Sequence, residues 1–230
     1  MTLPLALSVP HAGLTVPAEA APWCMLTPRE IAEDGDAGSG EIYDLRSEVA
    51  AFETTRIARA IVDLNRAEDD RSGDGVVKTH TCWSAPVYRE PLPESVVQQI
   101  LAAHYRPYHR RLSSFASPGG VRLAIDCHTM AATGPPAGPD PGVARPWICL
   151  SNREGTCPEA WIRTLGELFE TLLGGPVTLN DPFRGGYTIR HHSAQMPWLQ
   201  LEVSRKPFSP DADKRAVVLE ALTKWVERFR

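Results

Sequence analysis

The stretch LAIDCHTM, residues 123–130, begins as an apolar run and ends on Asp126, Cys127, His128 and Thr129. Its length and its aliphatic content are typical of a buried strand that polar residues bound. A carboxylate and an imidazole at the end of such a strand have two explanations. Either they are paired as part of the core, or the strand carries them to a reaction site. The rest of the sequence decides between these explanations.

Short apolar runs of strand length recur along the 230 residues. Each is rich in Val, Ile or Leu and is bounded by polar or turn residues, which predicts strands. The predicted strands are 5–10, 58–65, 121–128, 147–150, 176–180, 187–190 and 198–203. Because helical patterns separate these runs, we expect an α/β fold with a central, mostly parallel or mixed sheet and helices on both faces. The length fits a single domain over residues 1–230.

Helical periodicity is clearest in three segments. One predicted helix carries an apolar face formed by Trp161, Leu165, Leu168, Phe169 and Leu172. The segment 210–229 repeats this pattern. A third helix is predicted over 93–115, where Pro107 should bend or divide it because proline lacks the backbone N–H.

Polar side chains follow several of the predicted strands. In α/β sheets, ligands bind outside the carboxyl ends of the strands. The residues at these ends are His11, Asp63, Asn65, Arg66, Asp126, His128, Gln200 and Glu202. If the strands are parallel neighbours, two histidines, several carboxylates and an arginine converge on one edge of the sheet.

This set of residues suits a hydrolytic zinc site, which uses about three protein ligands and a water. His11 and His128 are the nitrogen donors. The acidic loop EDGDAGSGEIYD offers the candidates for the third ligand, which are Asp34, Asp36, Glu41 and Asp44. Asp36 is favoured because a Gly/Ser-rich bend and then a helical stretch follow it. Glu202 is the candidate general base. A lone histidine after a strand is more often structural, and the chain has no HExxH motif, so spacing alone leaves the metal site a hypothesis.

The composition limits the class of protein. Hydrophobic residues make up 43% and charged residues 23%, as in ordinary globular proteins. A formal net charge of -4 without a basic stripe argues against a nucleic-acid partner. No apolar run approaches the roughly 20 residues of a membrane helix, and a charged segment typical of a signal peptide is lacking. Five scattered cysteines without a CxxC pair predict reduced thiols and a cytoplasmic protein.

Eight motifs, taken in order, resemble those of the N-formylglutamate amidohydrolase (N-formylglutamate deformylase) family. They are SVPHAGLTVP (8–17), DGDAGSGEIYDL (34–45), IVDLNR (61–66), YRPYHRRL (105–112), DCHTM (126–130), RPWICLSNREGTC (145–157), NDPFRGGYTIRHH (180–192) and LQLEV (199–203). Each motif is short, but their number and order make the set specific, and they span nearly the whole chain.

The resemblance implies a fold like that of zinc carboxypeptidases and aspartoacylase, and metal-dependent hydrolysis of an amide. It places His11, Asp36 and His128 at metal-binding positions. The implied ion is Zn²⁺ or another divalent transition metal. Glu202 falls where the wider fold keeps its catalytic glutamate.

The implied substrate is a small amide that carries a carboxylate, such as an N-formyl or N-acyl amino acid. Arg66 and Arg190 suit the carboxylate, because a guanidinium fork binds it bidentately. Asn65 and His109, which lie in the same set of motifs, are also predicted to bind the substrate. The sequence leaves the oligomeric state open.

Three segments depart from the family pattern, namely Trp147, TGPPAGPDPGVA (133–144) and SAQMP (193–197). We expect them to frame the acyl or side-chain pocket, so the substrate stays open. One alternative is a metallopeptidase or amidase that cleaves another amide, such as a peptide or a cell-wall fragment. A second is a binding module without catalysis, which would fit only if Glu202 or a histidine ligand were missing, and all are present.

Overall fold

The computed structural model describes residues 2–117, 120–153 and 155–229, and one sheet runs through it. Its strands are β1 (Leu3–Val9), β2 (Val49–Thr54), β3 (Leu123–Met130), β4 (Ile148–Ser151), β5 (Val177–Leu179) and β6 (Trp198–Ser204). They pair in the order β2-β1-β3-β6-β4-β5. All neighbouring pairs are parallel except β4 and β6, which are antiparallel. The predicted mixed sheet is confirmed.

Helices cover both faces of this sheet. They are α1 (Pro28–Asp34), α2 (Ser39–Ile42), α3 (Glu94–Ile100), α4 (Arg106–Ser113), α5 (Glu159–Leu173), α6 (Tyr187–His192) and α7 (Asp211–Arg228). In the ranges that the structure describes, no helix combines the length and the apolar character needed to cross a membrane. All five cysteines are free thiols.

Alternation along β6 divides the core into two clusters. Leu199, Leu201 and Val203 pack in one cluster with residues of α5 and α7. Trp198 packs in the other with residues of α3 and α4. Because side chains alternate between the faces of a strand, Gln200 and Glu202 share the face of Trp198, as the sequence predicts.

On that face, the three parallel strands β1, β3 and β6 change together from apolar to polar. Their aligned rows, read towards the carboxyl ends, are Ala6–Ala124–Trp198, then Ser8–Asp126–Gln200, then His128–Glu202. The first row lies in the apolar core. The later rows therefore bring the functional groups to one edge of the sheet at the point where the apolar packing ends.

Two predicted strands are wrong, and one strand was missed. Residues 58–65 form buried turns with local hydrogen bonds, because a short apolar run can be buried without joining a ladder. Residues 187–190 belong to helix α6, whose Thr188 N–H donates to the Asn65 side chain at 2.8 Å. This cap comes from a distant part of the chain, so local patterning could not reveal it. The missed strand is β2, an edge strand of mostly half-buried residues.

The helix predicted over 93–115 exists but changes its hydrogen-bond register. A π-helical segment, Leu101–Tyr105, separates α3 from α4. It ends two residues before Pro107, which cannot donate a backbone hydrogen bond. The proline thus divides the helix, as expected.

A buried ion pair fixes the end of α1 next to the polar edge. The Lys78 ammonium lies 3.0 Å from both carboxylate oxygens of Asp34, and both side chains are fully buried. Asp34 also accepts the backbone N–H of Cys82 at 2.7 Å. These contacts hold α1 against the loop 78–82 and so position the segment that begins at Gly35.

We expect Lys78→Met to lower the free energy of unfolding by about 3–5 kcal/mol, because the Asp34 carboxylate would stay buried without its cation. Urea denaturation measures this change. Lys224→Met is the matched control, since the Lys224–Glu220 pair is exposed and should contribute less than about 1 kcal/mol. Similar losses in both variants would contradict the structural role of the buried pair.

Candidate metal centre

His11 lies in the turn after β1, with its ring buried. Its Nε2 is 2.9 Å from Oδ1 of Asp63. Against the penalty of burial, Arg66 and His11 hold the pKa of Asp63 well below its usual range. Asp63 is therefore ionised and can only accept, so Nε2 carries the proton. The Nδ1 atom of His11 is left with a lone pair, and it is buried without a hydrogen-bond partner among the described residues.

His128 is oriented in the same way from within β3. Its Nε2 lies 2.8 Å from Oδ2 of Asp126, two residues earlier on the same face. Asp126 is itself fixed, because its Oδ1 accepts the Ser8 hydroxyl at 2.9 Å. The Nδ1 atom of His128 lies 2.9 Å from Oδ2 of Asp36.

Asp36 stands between the two histidines, in the segment that joins α1 to α2. Its backbone N–H donates to the His11 carbonyl, and its Oδ2 accepts the Thr129 N–H at 3.3 Å. The same oxygen is 3.4 Å from Nδ1 of His11. Burial opposes ionisation of Asp36, but His11 and His128 outweigh it and hold its pKa below the usual range.

These donors fit a divalent cation. His11, Asp36 and His128 are all buried, and one ligand atom from each lies within 4.8 Å of the others. A bond to such a cation would give the unpartnered Nδ1 of His11 a partner. Burial opposes a charge on His128, yet Asp126 and Asp36 raise its pKa well above the ordinary range. Positive charge is thus favoured between His128 and Asp36, and two imidazoles with one carboxylate are the donor set of a hydrolytic zinc site.

The other acids of the loop are placed elsewhere. Asp34 forms the buried ion pair with Lys78. Glu41 and Asp44 are exposed. The structure therefore brings Asp36, and none of these three, to the histidines.

Glu202 lies next to the same centre on the neighbouring strand, because β6 pairs with β3 so that Glu202 lies beside His128. Its Oε1 accepts the Gln200 amide at 2.8 Å. Burial raises the pKa of its carboxyl to about 7; the Asp36 carboxylate adds to this rise, and His128 opposes it. Within the described residues, no ion pair joins Glu202 to Arg205, whose Nη1 donates to the Gly35 carbonyl instead.

A cavity of about 310 Å³ opens over these groups. Its walls include His11, Asp36, Asn65, Arg66, His128 and Glu202. Arg66 thus lines the cavity, although its guanidinium is bound to Asp74 at 2.6 Å. Arg190 is exposed on α6, where its Nε donates to the Gly186 carbonyl. It does not line the cavity, contrary to the prediction, because residues 187–190 form a helix instead of a strand.

The family model for N-formylglutamate amidohydrolase matches residues 3–208. The chain belongs to the N-formylglutamate amidohydrolase family. The resemblance read from the eight motifs is therefore confirmed, and the family is one of amide hydrolases.

Individual relatives agree with this assignment. The N-formylglutamate deformylase of Pseudomonas putida is 24% identical over 92% of this chain and 84% of its own. The crystal structure of an N-formylglutamate amidohydrolase from Ralstonia eutropha JMP134 superposes with a TM-score of 0.78 at 22% identity, over 99% of this chain and 93% of that chain. A gene product of Agrobacterium tumefaciens gives 0.76 at 17% identity, over 99% and 91% of the two chains. These likenesses show the fold.

Asn65 connects the turn before the cavity to two other parts of its wall. Its Nδ2 lies 3.3 Å from Nε2 of His128, and its Oδ1 caps α6 at Thr188. Gly186 packs so closely against this amide that a Cβ there would lie 2.2 Å from Nδ2. The glycine pair in RGGY is therefore a packing requirement of the site as well as a turn.

His109 is placed behind the cavity instead of in its wall. Its Nε2 donates to the Leu64 carbonyl at 3.0 Å, so its Nδ1 accepts from Nε2 of His192, also at 3.0 Å. The two rings are stacked. Both of its nitrogens are thus engaged by the protein, which leaves no atom for the predicted contact with a substrate.

Several residues in the cavity wall or directly behind it were missed or left without a role. The sequence pattern marked Asp63 and Gln200 at strand ends but gave them no role. Arg59 and Arg145 reach the cavity from positions with no local signal. Of the departing segments, the loop 133–144 contributes Pro135, Ala137, Gly138 and Pro139 to the wall. Trp147 instead stacks on Phe208, with ring centroids 4.2 Å apart.

Removing either imidazole should remove the metal. We expect His11→Ala and His128→Ala to abolish stoichiometric zinc in the purified, desalted protein, as elemental analysis measures. Asp126→Asn should weaken zinc affinity about 10- to 100-fold, because the ring of His128 would lose its orienting carboxylate. The exposed His80→Ala serves as a control with wild-type zinc content. Full occupancy in His128→Ala would refute the ligand assignment.

The His109–His192 pair should make stability depend on pH. Burial lowers the pKa of His109 to about 3, helped by His192, and that of His192 to about 4, helped by His191. Below about pH 6.5 the unfolded chain binds protons that the folded pair refuses, so stability present above pH 6.5 is lost as the pH falls towards 4. His192→Gln should flatten this decline in the free energy of unfolding, measured in urea, while the exposed His80→Gln should not. An unchanged slope in His192→Gln would contradict the proposed titration.

Proposed function

We propose that the protein is a metal-dependent amidohydrolase that cleaves the amide of an N-formyl or N-acyl amino acid. One observation carries this proposal: two histidines, each oriented by a buried aspartate, share Asp36 on the side where Glu202 stands beside His128. The family name and that of the Pseudomonas putida relative support a formyl amino acid as the substrate class. The cytoplasm is the compartment in which we expect it to work.

Each side chain of the centre has a definable part in the reaction. His11, Asp36 and His128 would hold Zn²⁺ or another divalent transition metal. Such an ion supplies Lewis acidity, which polarises an amide carbonyl and makes water a better nucleophile. Asp63 and Asp126 engage Nε2 of the two rings, which leaves Nδ1 of each histidine as the atom that would bind the ion.

Glu202 moves the proton. A carboxyl group with a pKa of about 7 can take a proton from the attacking water and return it to the leaving nitrogen near neutral pH. The Gln200 amide fixes one oxygen of Glu202. Gln200 is held in turn, because its Oε1 accepts the Gly186 N–H at 2.8 Å. Because Gln200 is itself held in place, the Glu202 carboxylate has a fixed orientation, and its second oxygen is the one left for the water.

The size of the cavity favours a small substrate over a peptide or a cell-wall fragment. About 310 Å³ is at the lower end of the range for small-molecule pockets. The arginines in its wall complement a carboxylate. A screen of N-formyl and N-acetyl amino acids with the zinc-loaded protein, read by the release of free amine, tests the proposal. Release from none of them would refute it.

Glu202→Gln should lower kcat about 10²- to 10⁴-fold, because it keeps the shape of the side chain and removes the base. Zinc content and melting temperature should stay near those of the wild type. Glu220→Gln, at an exposed position on α7, is the matched control. If Glu202→Gln retains full kcat on the best substrate, another residue accepts the proton.

A further inference from the structure

Arginines surround the cavity, but most of them are already neutralised. The five that line it are Arg59, Arg66, Arg145, Arg184 and Arg205. The edge of a guanidinium that presents Nε and Nη2 is the one that binds a carboxylate side-on with two parallel hydrogen bonds. The use of this edge distinguishes the five.

Three arginines use this edge on the protein itself. Arg145 donates from Nε and Nη2 to the two carboxylate oxygens of Asp140, at 2.8 and 2.6 Å. Arg66 donates from the same two atoms to the Asp74 carbonyl and carboxylate. Arg59 donates from Nε to Asp63 at 3.0 Å. Arg184 is exposed and is also engaged in an interaction within the protein.

Arg205 is held differently. Its backbone N–H donates to the Met130 carbonyl at 2.8 Å, which continues the pairing of β6 with β3. Its Nη1 donates to the Gly35 carbonyl at 2.9 Å. Among the described residues, no carboxylate pairs with this guanidinium, and no partner is recorded for its Nε or Nη2. The side chain is thus fixed at one nitrogen, while its two-nitrogen edge remains available in a half-buried position.

The position of Arg205 suits an anchor for a small substrate. It follows Glu202 by three residues at the carboxyl end of β6, and its contact at Gly35 is one residue before the ligand Asp36. Arg205 thus contacts the segment that carries Asp36 and directly follows the strand that carries Glu202. A carboxylate at this edge would leave the rest of a short amide inside the cavity that Glu202 and the metal ligands line.

We propose that Arg205 binds the substrate carboxylate through Nε and Nη2 and so selects carboxylate-bearing amides. This assignment rests on the proposed function of the same site. It replaces Arg190, which lies outside the cavity. It also ranks above Arg66, whose corresponding edge is occupied by Asp74.

The test compares substrates that differ only in charge. They are N-formyl-L-glutamate, N-formyl-L-glutamine, which lacks the γ-carboxylate, and N-formyl-L-isoglutamine, which lacks the α-carboxylate. Arg205→Gln should lower kcat/KM about 10- to 100-fold, mainly through KM, on substrates that keep the bound carboxylate. It should change kcat/KM less than about threefold on the analogue that lacks this group, because the interaction is already missing there. The analogue that escapes the loss identifies the carboxylate.

Two further variants separate binding from structure. Arg205→Lys keeps the charge but has no fork, so its loss should be intermediate and again specific to the substrates that keep the bound carboxylate. Arg163→Gln, on the exposed face of α5, should match the wild type on all three compounds. Melting temperature and zinc content are measured for each variant. Equal losses on all three substrates, or no loss on any, would overturn the assignment.

A failure of the proposed function would look different. In that case the wild type would hydrolyse none of the three compounds. Calorimetric titration with glutarate, a dicarboxylate without an amide, then tests Arg205 directly. At least tenfold tighter binding to the wild type than to Arg205→Gln supports the anchor, whereas equal affinity or no detectable binding refutes it.

Discussion

The parallel register of β3 against β6 is the constraint on which the site depends. It sets Asp126 beside Gln200 and His128 beside Glu202. Since adjacent strands lie about 4.8 Å apart, the carboxylate of Glu202 and the imidazole of His128 are brought near each other by backbone pairing alone. A slip of one residue would turn Glu202 into the apolar layer beneath. The hydrophobic packing of Leu201 therefore helps to fix the register that places Glu202 on the opposite face.

The electrostatics of the centre follow from crowding acids where water is excluded. Asp36, Asp63, Asp126 and Glu202 are all nearly or fully buried. Arg59 lies against Asp63 and near Asp36, which offsets part of this charge. The remaining negative potential acts on the groups that can still exchange protons. It raises the pKa of His128, and together with desolvation it raises the pKa of Glu202. The same charge distribution suits both of the proposed roles of this centre, which are cation binding and proton transfer.

The site residues that could be predicted from the sequence are those placed by the alternation of side chains along a strand or by the position of a strand end. His11 and His128 could be found because each follows from a strand reaching the carboxyl edge, and the ordered motifs added Asp36. Position 190 could not be placed, because helix α6 is capped by Asn65 from 123 residues away. Arg205 carries a local signal, since it directly follows the last strand, but its significance depends on which other arginines are neutralised. That depends on partners brought together by the fold.

Asn65 and Gly186 together give the site a mechanical property. The Asn65 amide lies within 3.3 Å of the His128 ring, and the space on its other side is filled by the glycine backbone. The loop at Gly186 and the ring of His128 are therefore held in a fixed relation by a single planar group. A side chain added at position 186 would displace this amide before it altered the loop itself. A residue larger than glycine at position 186 would therefore disturb the surroundings of His128 through Asn65, although it does not touch the ring itself.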